Sequence, residues 1–165
     1  MNKGSAGFTM MEMMVVIGIV AILALIAAPS FQDGIVRDQI NSALPLADLA
    51  KNPVAAKWAL AQSFPADNAA AGLPSADKIV NNYISSVSVQ GGAIHIVFGN
   101  RANGAIKDKV LSIRPAVVED APVVPVAWVC GAAEVPAKMT VKGENRTDIA
   151  ANFLPLSCRA LKRAN

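Results

Sequence analysis

The chain has 165 residues, 53% of them apolar, with a mean hydropathy of +0.41 and a net charge of +3 at pH 7. The length suits one ordinary domain plus an appendage. Much of the apolar excess lies near the N-terminus, and the rest is long enough to bury a modest core. Lysine and arginine are scattered apart from a small cluster at Arg159, Lys162 and Arg163, which excludes the footprint of a dedicated nucleic-acid binder.

The first element is the stretch GFTMMEMMVVIGIVAILALIAAP, residues 7–29. From Met13 to Gln32 there is no charge. As a helix rising about 1.5 Å per residue this run spans about 30 Å, the hydrocarbon thickness of a bilayer. It reads as a single membrane-anchoring helix. A cleaved secretory signal fits poorly. Lys3 is a thin positive region, and Leu25 and Ile26 stand where a cut after Ala27 or Ala28 needs small residues. The odd residue is Glu12, because a carboxylate in an apolar bundle costs several kcal/mol unless it is paired or protonated.

KGSAGFTMMEMMVVIGIVAILALIAAP, residues 3–29, resembles the N-terminus of type IV prepilins. The resemblance implies a leader, residues 1–7, cut by a prepilin peptidase between Gly7 and Phe8. It implies N-methylation of Phe8, and it makes Glu12 the glutamate at the fifth mature position. Cleavage would create a cationic amine on Phe8. In a filament core, Glu12 of one copy then meets the Phe8 amine of a neighbour. Such a pair relieves two desolvated charges and sets the axial register of an otherwise slippery bundle. Phe8 and Glu12 are also expected on one helix face, at i and i+4. The bland alternative for Glu12 is a carboxylate at the membrane interface, snorkelling to water.

Beyond Pro29 the pattern becomes amphipathic. Phe31, Ile35, Val36, Ile40, Ala43, Leu44, Ala47, Ala50, Val54 and Trp58 recur at helical spacing between polar residues. One long helix over residues 8–62 is expected, with an apolar core half (8–29) and an amphipathic half (30–62). Pro29, Pro45 and Pro53 should bend it, and Gly18 with Pro29 suits a hinge.

A globular head, residues 63–165, follows. Residues 63–82 read as a loop with one short helical turn. Strands are expected at 83–90, 93–99, 109–115 and 126–130, with a tight turn at Gly91–Gly92. Ile94, Ile96 and Phe98 should share one face. Cys130 and Cys158 are two buried thiols if the head is cytosolic, or a disulfide if the anchor leads to an oxidising compartment. The pilin resemblance extends to WVCG (128–131) and NFLPLSCR (152–159), and implies that these cysteines are bonded. The fold class is α+β: a long N-terminal α-helix packed on a four-stranded antiparallel sheet, with a C-terminal disulfide-bounded loop.

No catalytic constellation is present. His95 is a single histidine on a strand, more in keeping with a structural role than a ligand. The two cysteines lack zinc-site spacing, and no phosphate-binding glycine loop occurs. Glu119–Asp120 reads as a solvated acidic pair, and Asn145–Thr147 as a weak glycosylation sequon. No enzyme activity, metal or cofactor is expected.

The resemblance implies a structural subunit of a bacterial type IV pilus. Its expected partners are copies of itself in a helical homopolymer, the prepilin peptidase, the inner-membrane assembly machinery and the inner membrane before assembly. DNA and host surfaces are further candidate partners, through adhesion, twitching motility or DNA uptake. The precursor is expected in the inner membrane and the filament outside the cell. The rivals are a pseudopilin of a type II secretion system, which shares the N-terminal motif, and an uncleaved membrane-anchored binding domain.

Overall fold

The computed structural model of the chain describes residues 7–160, and within these the side chains of 27–31 lie outside the description. The leader ahead of Gly7, the side chains of Pro29 and Phe31, and Lys162 and Arg163 therefore fall outside the described residues, and so does any kink that depends on the Pro29 side chain. Helix α1 runs Met10–Ala61. It starts two residues later than the expected range and continues through Pro45 and Pro53 without a break in its assignment. The chain divides into two compact units, Met1–Ile35 and Val36–Asn165.

In the first unit the apolar side chains from Phe8 to Ile26 are all exposed, including Met10 at 86% and Leu25 at 78%. Among the described residues no helix is long and apolar enough to cross a membrane. The uncharged run expected to do so, Met13 to Gln32, includes the side chains set aside at 27–31.

In the second unit the rest of α1 lies on an antiparallel sheet. The strands are β1 (Ile84–Gln90), β2 (Ala93–Phe98), β3 (Val110–Val117), β4 (Ala127–Cys130) and β5 (Thr140–Val141). The order is β1-β2-β3-β4, and β5 pairs with β3. Four strands match the expected segments closely, and the two-residue β5 is additional. Strand β3 extends past its expected end at Pro115, because this proline's missing donor falls where β2 has ended. Its carbonyl still accepts from Lys142 N (2.9 Å), and a strand residue's N and O share one edge.

The core follows from side-chain period. Val36, Ile40, Ala43, Ala47, Ala50 and Val54 form a buried stripe on α1. On the facing side Ile84, Val87, Val89, Ile94, Ile96, Phe98, Leu111 and Ile113 are buried, two apart along each strand except across the irregularity between Ile84 and Ser86 of β1. Each contributes about 1.5–3 kcal/mol of transfer free energy. Ile35, expected on the stripe, is instead 52% exposed.

The β1–β2 hairpin turns on Gly91 and Gly92, at φ +55° and +83°. A Cβ on Gly92 would sit 2.6 Å from Phe64 Cγ, and Phe64 stacks on Trp58 with ring centroids 4.9 Å apart. The expected loop at 63–82 contains one 3₁₀ turn, Ala76–Lys78.

Candidate functional site: the N-terminal assembly segment and the disulfide-bounded loop

Two regions carry the candidate residues. The first is the start of α1. Gly7 and Phe8 precede the helix and are exposed, with Phe8 at 76%. Thr9 caps it: Glu12 N donates to Thr9 Oγ1 (3.2 Å), and Met13 N to Thr9 O (3.2 Å). This arrangement carries the Ser/Thr-x-x-Glu signature of a capping box, a signal already legible in the sequence at Thr9–Glu12. Glu12 lies in the first turn, where the helix dipole favours a negative charge. Because the helix starts at Met10, Phe8 and Glu12 are not successive turns of one helix face, contrary to the i, i+4 expectation.

The Glu12 carboxylate is exposed and has no side-chain partner among the described residues. Thr9, Met11, Glu12, Val15 and Val16 line an open hollow of about 350 Å³. Gly18 lies within the helix with open space where a Cβ would project. The arrangement is an apolar helix with one exposed carboxylate in its first turn, and it suits packing against other apolar surfaces better than chemistry.

The second region is the C-terminal loop. Cys130, the last residue of β4, is bonded to Cys158, with Cα atoms 4.5 Å apart. Gly131, at φ +55°, lets the chain turn against the bridge, because a Cβ there would lie 2.7 Å from Cys158 O. Ala132 N donates to that same carbonyl (3.1 Å). Arg37 ties the tail to α1, and Arg159 closes the tail on itself at the same acceptor. Arg37 Nη2 and Arg159 Nη2 donate to Asn152 O at 2.7 and 2.9 Å, and Arg159 Nε donates to Leu154 O (2.6 Å). Neither arginine was singled out for this role from the sequence, since the tie joins residues 115 positions apart.

The remaining candidates are structural. His95 is buried, 3% exposed, with Nδ1 2.9 Å from Ser112 Oγ. Burial, with Arg146 nearby, holds its pKa below the usual histidine value, and Glu144 opposes that shift. Glu119 is not simply solvated: it pairs with Lys142 Nζ. Asn145 of the sequon is engaged, its Nδ2 donating to Gly131 O (2.9 Å) and its Oδ1 accepting from Thr147 N (3.1 Å). Among the described residues no group of side chains could hold a metal ion.

A model of the pilin family, described as bacterial filament subunits, matches residues 36–159. The chain belongs to the type IV pilin family. A model of the prokaryotic N-terminal methylation motif matches residues 2–28 of this pilin. A fimbrial protein of Neisseria meningitidis serogroup A is 34% identical to it over 171 residues, covering 96% of each chain. The type IV major pilin protein PilE of Neisseria gonorrhoeae is 34% identical over 132 residues, 79% of this pilin and 77% of that protein. The fimbrial protein EcpC of Eikenella corrodens is 31% identical over 157 residues, with 93% and 90% covered. These matches identify a non-enzymatic structural protein, a filament subunit.

Proposed function

We propose that this pilin is the major subunit of an extracellular type IV pilus, assembled through residues 8–29 after a prepilin peptidase cuts between Gly7 and Phe8. The observation that carries the proposal is the unpartnered apolar surface from Phe8 to Ile26, with one exposed carboxylate at Glu12. In a filament core that surface is buried by neighbouring copies. Glu12 meets the methylated amine of Phe8 from the next subunit, so each buried charge finds its partner. Residues 30–62 carry the head, 63–165, outward, where the disulfide-bounded loop forms surface. Pro29 and Gly18 supply the bend that packing of the rod requires. Before assembly the precursor resides in the inner membrane, where the pilus machinery extracts it. Motility, adhesion or DNA uptake then follow from the filament. The matched relatives named as fimbrial proteins and major pilins favour a pilus over a secretion pseudopilus.

The test is the N-terminal sequence and mass of the native protein. The expected chain begins at Phe8 and is one methyl group (about 14 Da) heavier than the unmodified sequence. A native chain that begins at Met1 sinks the proposal in favour of an uncleaved anchor.

A further inference from the structure

The segment after β5 crosses the outer face of the sheet, opposite the helix. On one flank of β3, Lys142 N donates to Pro115 O (2.9 Å). On the other flank, Ser112 N donates to Thr147 Oγ1 (3.0 Å), Val110 N to Asp148 Oδ1 (2.6 Å), and Asp148 N to Val110 O (3.2 Å). Alternate residues of a strand turn their backbone groups to opposite edges, so Pro115 addresses the β2 edge while Val110 and Ser112 address the β4 edge. Residues 142–147 therefore form a strap that passes from one edge of β3 to the other. It lies close: Gly143 sits at φ +81°, and a Cβ there would be 2.6 Å from Ala93 Cβ.

Beneath the strap are His95 and Ser112. Ser112 Oγ accepts from Arg146 N of the strap (2.8 Å) and lies 2.9 Å from His95 Nδ1. With Arg146 N on one lone pair, the hydroxyl keeps a second lone pair and its own proton, so it serves either tautomer of the neutral imidazole at Nδ1. Nε2 is buried and has no hydrogen-bond partner among the described residues. Protonating the ring places a cation under the strap and an N–H on both ring nitrogens, of which Nε2 faces no acceptor among the described residues. Nδ1–H still has Ser112 Oγ to donate to, but the charged Nε2–H is buried without an acceptor, which disfavours the closed strap.

The charges around the site do not cancel that cation. Arg146 opposes it, and Glu144, which favours it, is already paired with Arg146 Nε (2.8 Å). Arg114 shares the outer face of β3 and is half-buried. Lys142 is paired with Glu119, and Lys109 with Asp148 (3.4 Å). On β1 the residue opposite His95 is Ser88, which carries no charge.

We propose that residues 142–147 are an acid-released strap, with His95 as its trigger and the Cys130–Cys158 bond as the tether that makes release reversible. The strap lies wholly between the two bonded cysteines, so it lifts without freeing the chain ends. Release exposes the outer face of β2 and β3 and changes the surface of the head without unfolding its core.

The experiment is amide hydrogen exchange of the full-length, disulfide-intact protein in detergent micelles, at about pH 7.5 and about pH 5, corrected for intrinsic exchange. Protection of the peptide covering 142–148 is expected to fall about tenfold or more in acid, while β1 and β2 peptides keep theirs. In His95→Gln, which stays neutral, the change should shrink to about twofold or less. Equal protection at both pH values overturns the proposal, as does the same acid response in His95→Gln. Should that variant fail to fold, the wild-type His95 imidazole is titrated by NMR beside the Arg146 amide, where a shared midpoint supports the trigger and separate midpoints overturn it.

Discussion

Asn68 closes the free edge of the sheet at Val89. Its Oδ1 accepts from Val89 N (2.6 Å) and its Nδ2 donates to Val87 O (3.0 Å), so one side chain stands in for a neighbouring strand. Gly91 N and Gly92 N reach Ala66 O and Pro65 O in the same loop (3.2 and 3.0 Å). An open edge strand invites pairing with other chains, and this loop covers it. Asn68→Ala should cost about 2–4 kcal/mol, because Val89 N and Val87 O would be left buried without partners. Thermal unfolding of the wild type and variant measures this. An unchanged midpoint would mean that the loop holds the edge without Asn68.

Glu12→Ala should leave cleavage at Gly7 intact but greatly reduce filament yield. Glu12→Gln separates charge from hydrogen bonding, and it too should assemble poorly if an ion pair sets register. Sheared-filament yield from cells checks both, and wild-type yield from both variants would remove the pairing argument.

Cys130→Ser opens a bridge that spans 28 residues. The chain-entropy relation for such a loop gives a loss of about 3.5 kcal/mol. The expected result is a lower midpoint in chemical denaturation and faster proteolysis between 131 and 157. Equal midpoints with and without reductant would contradict it.

Gly131→Ala forces a Cβ to 2.7 Å from Cys158 O at a residue with φ +55°. Backbone strain of about 1–3 kcal/mol is expected. Gly104→Ala is the control, since nothing lies within 4 Å of its Cβ position. A Gly131→Ala variant as stable as that control would show that the loop relaxes freely.

Acid should weaken the head through His95. Its folded pKa lies below the usual value of 6.5, through burial first and the Arg146 charge second. The unfolded chain therefore binds the proton more readily than the folded one. The contribution to stability is present above about pH 6.5 and is lost as pH falls through that value toward the folded pKa. Denaturation midpoints across pH 5 to 8 test this, and His95→Gln should flatten the acid side of the profile.

The sequence alone determined the elements whose signals are local. Twenty uncharged residues, the Gly7–Phe8 junction and Glu12 marked the candidate N-terminal segment, and alternation marked the inward faces of β1 and β2. The Gly91–Gly92 turn was legible because glycine takes up positive φ at both central positions without a Cβ penalty. The tertiary structure decided what depends on distant residues meeting. Pro115 could continue β3 only because β2 ends beside it, and β5 exists only because β3 offers it an edge. His95 and Glu119 carry no local sign of their partners Ser112 and Lys142. The shared hold of Arg37 and Arg159 on Asn152 is likewise invisible to spacing. Periodicity reports which face of an element is apolar, but which polar groups meet on the other face is set by how the chain crosses itself.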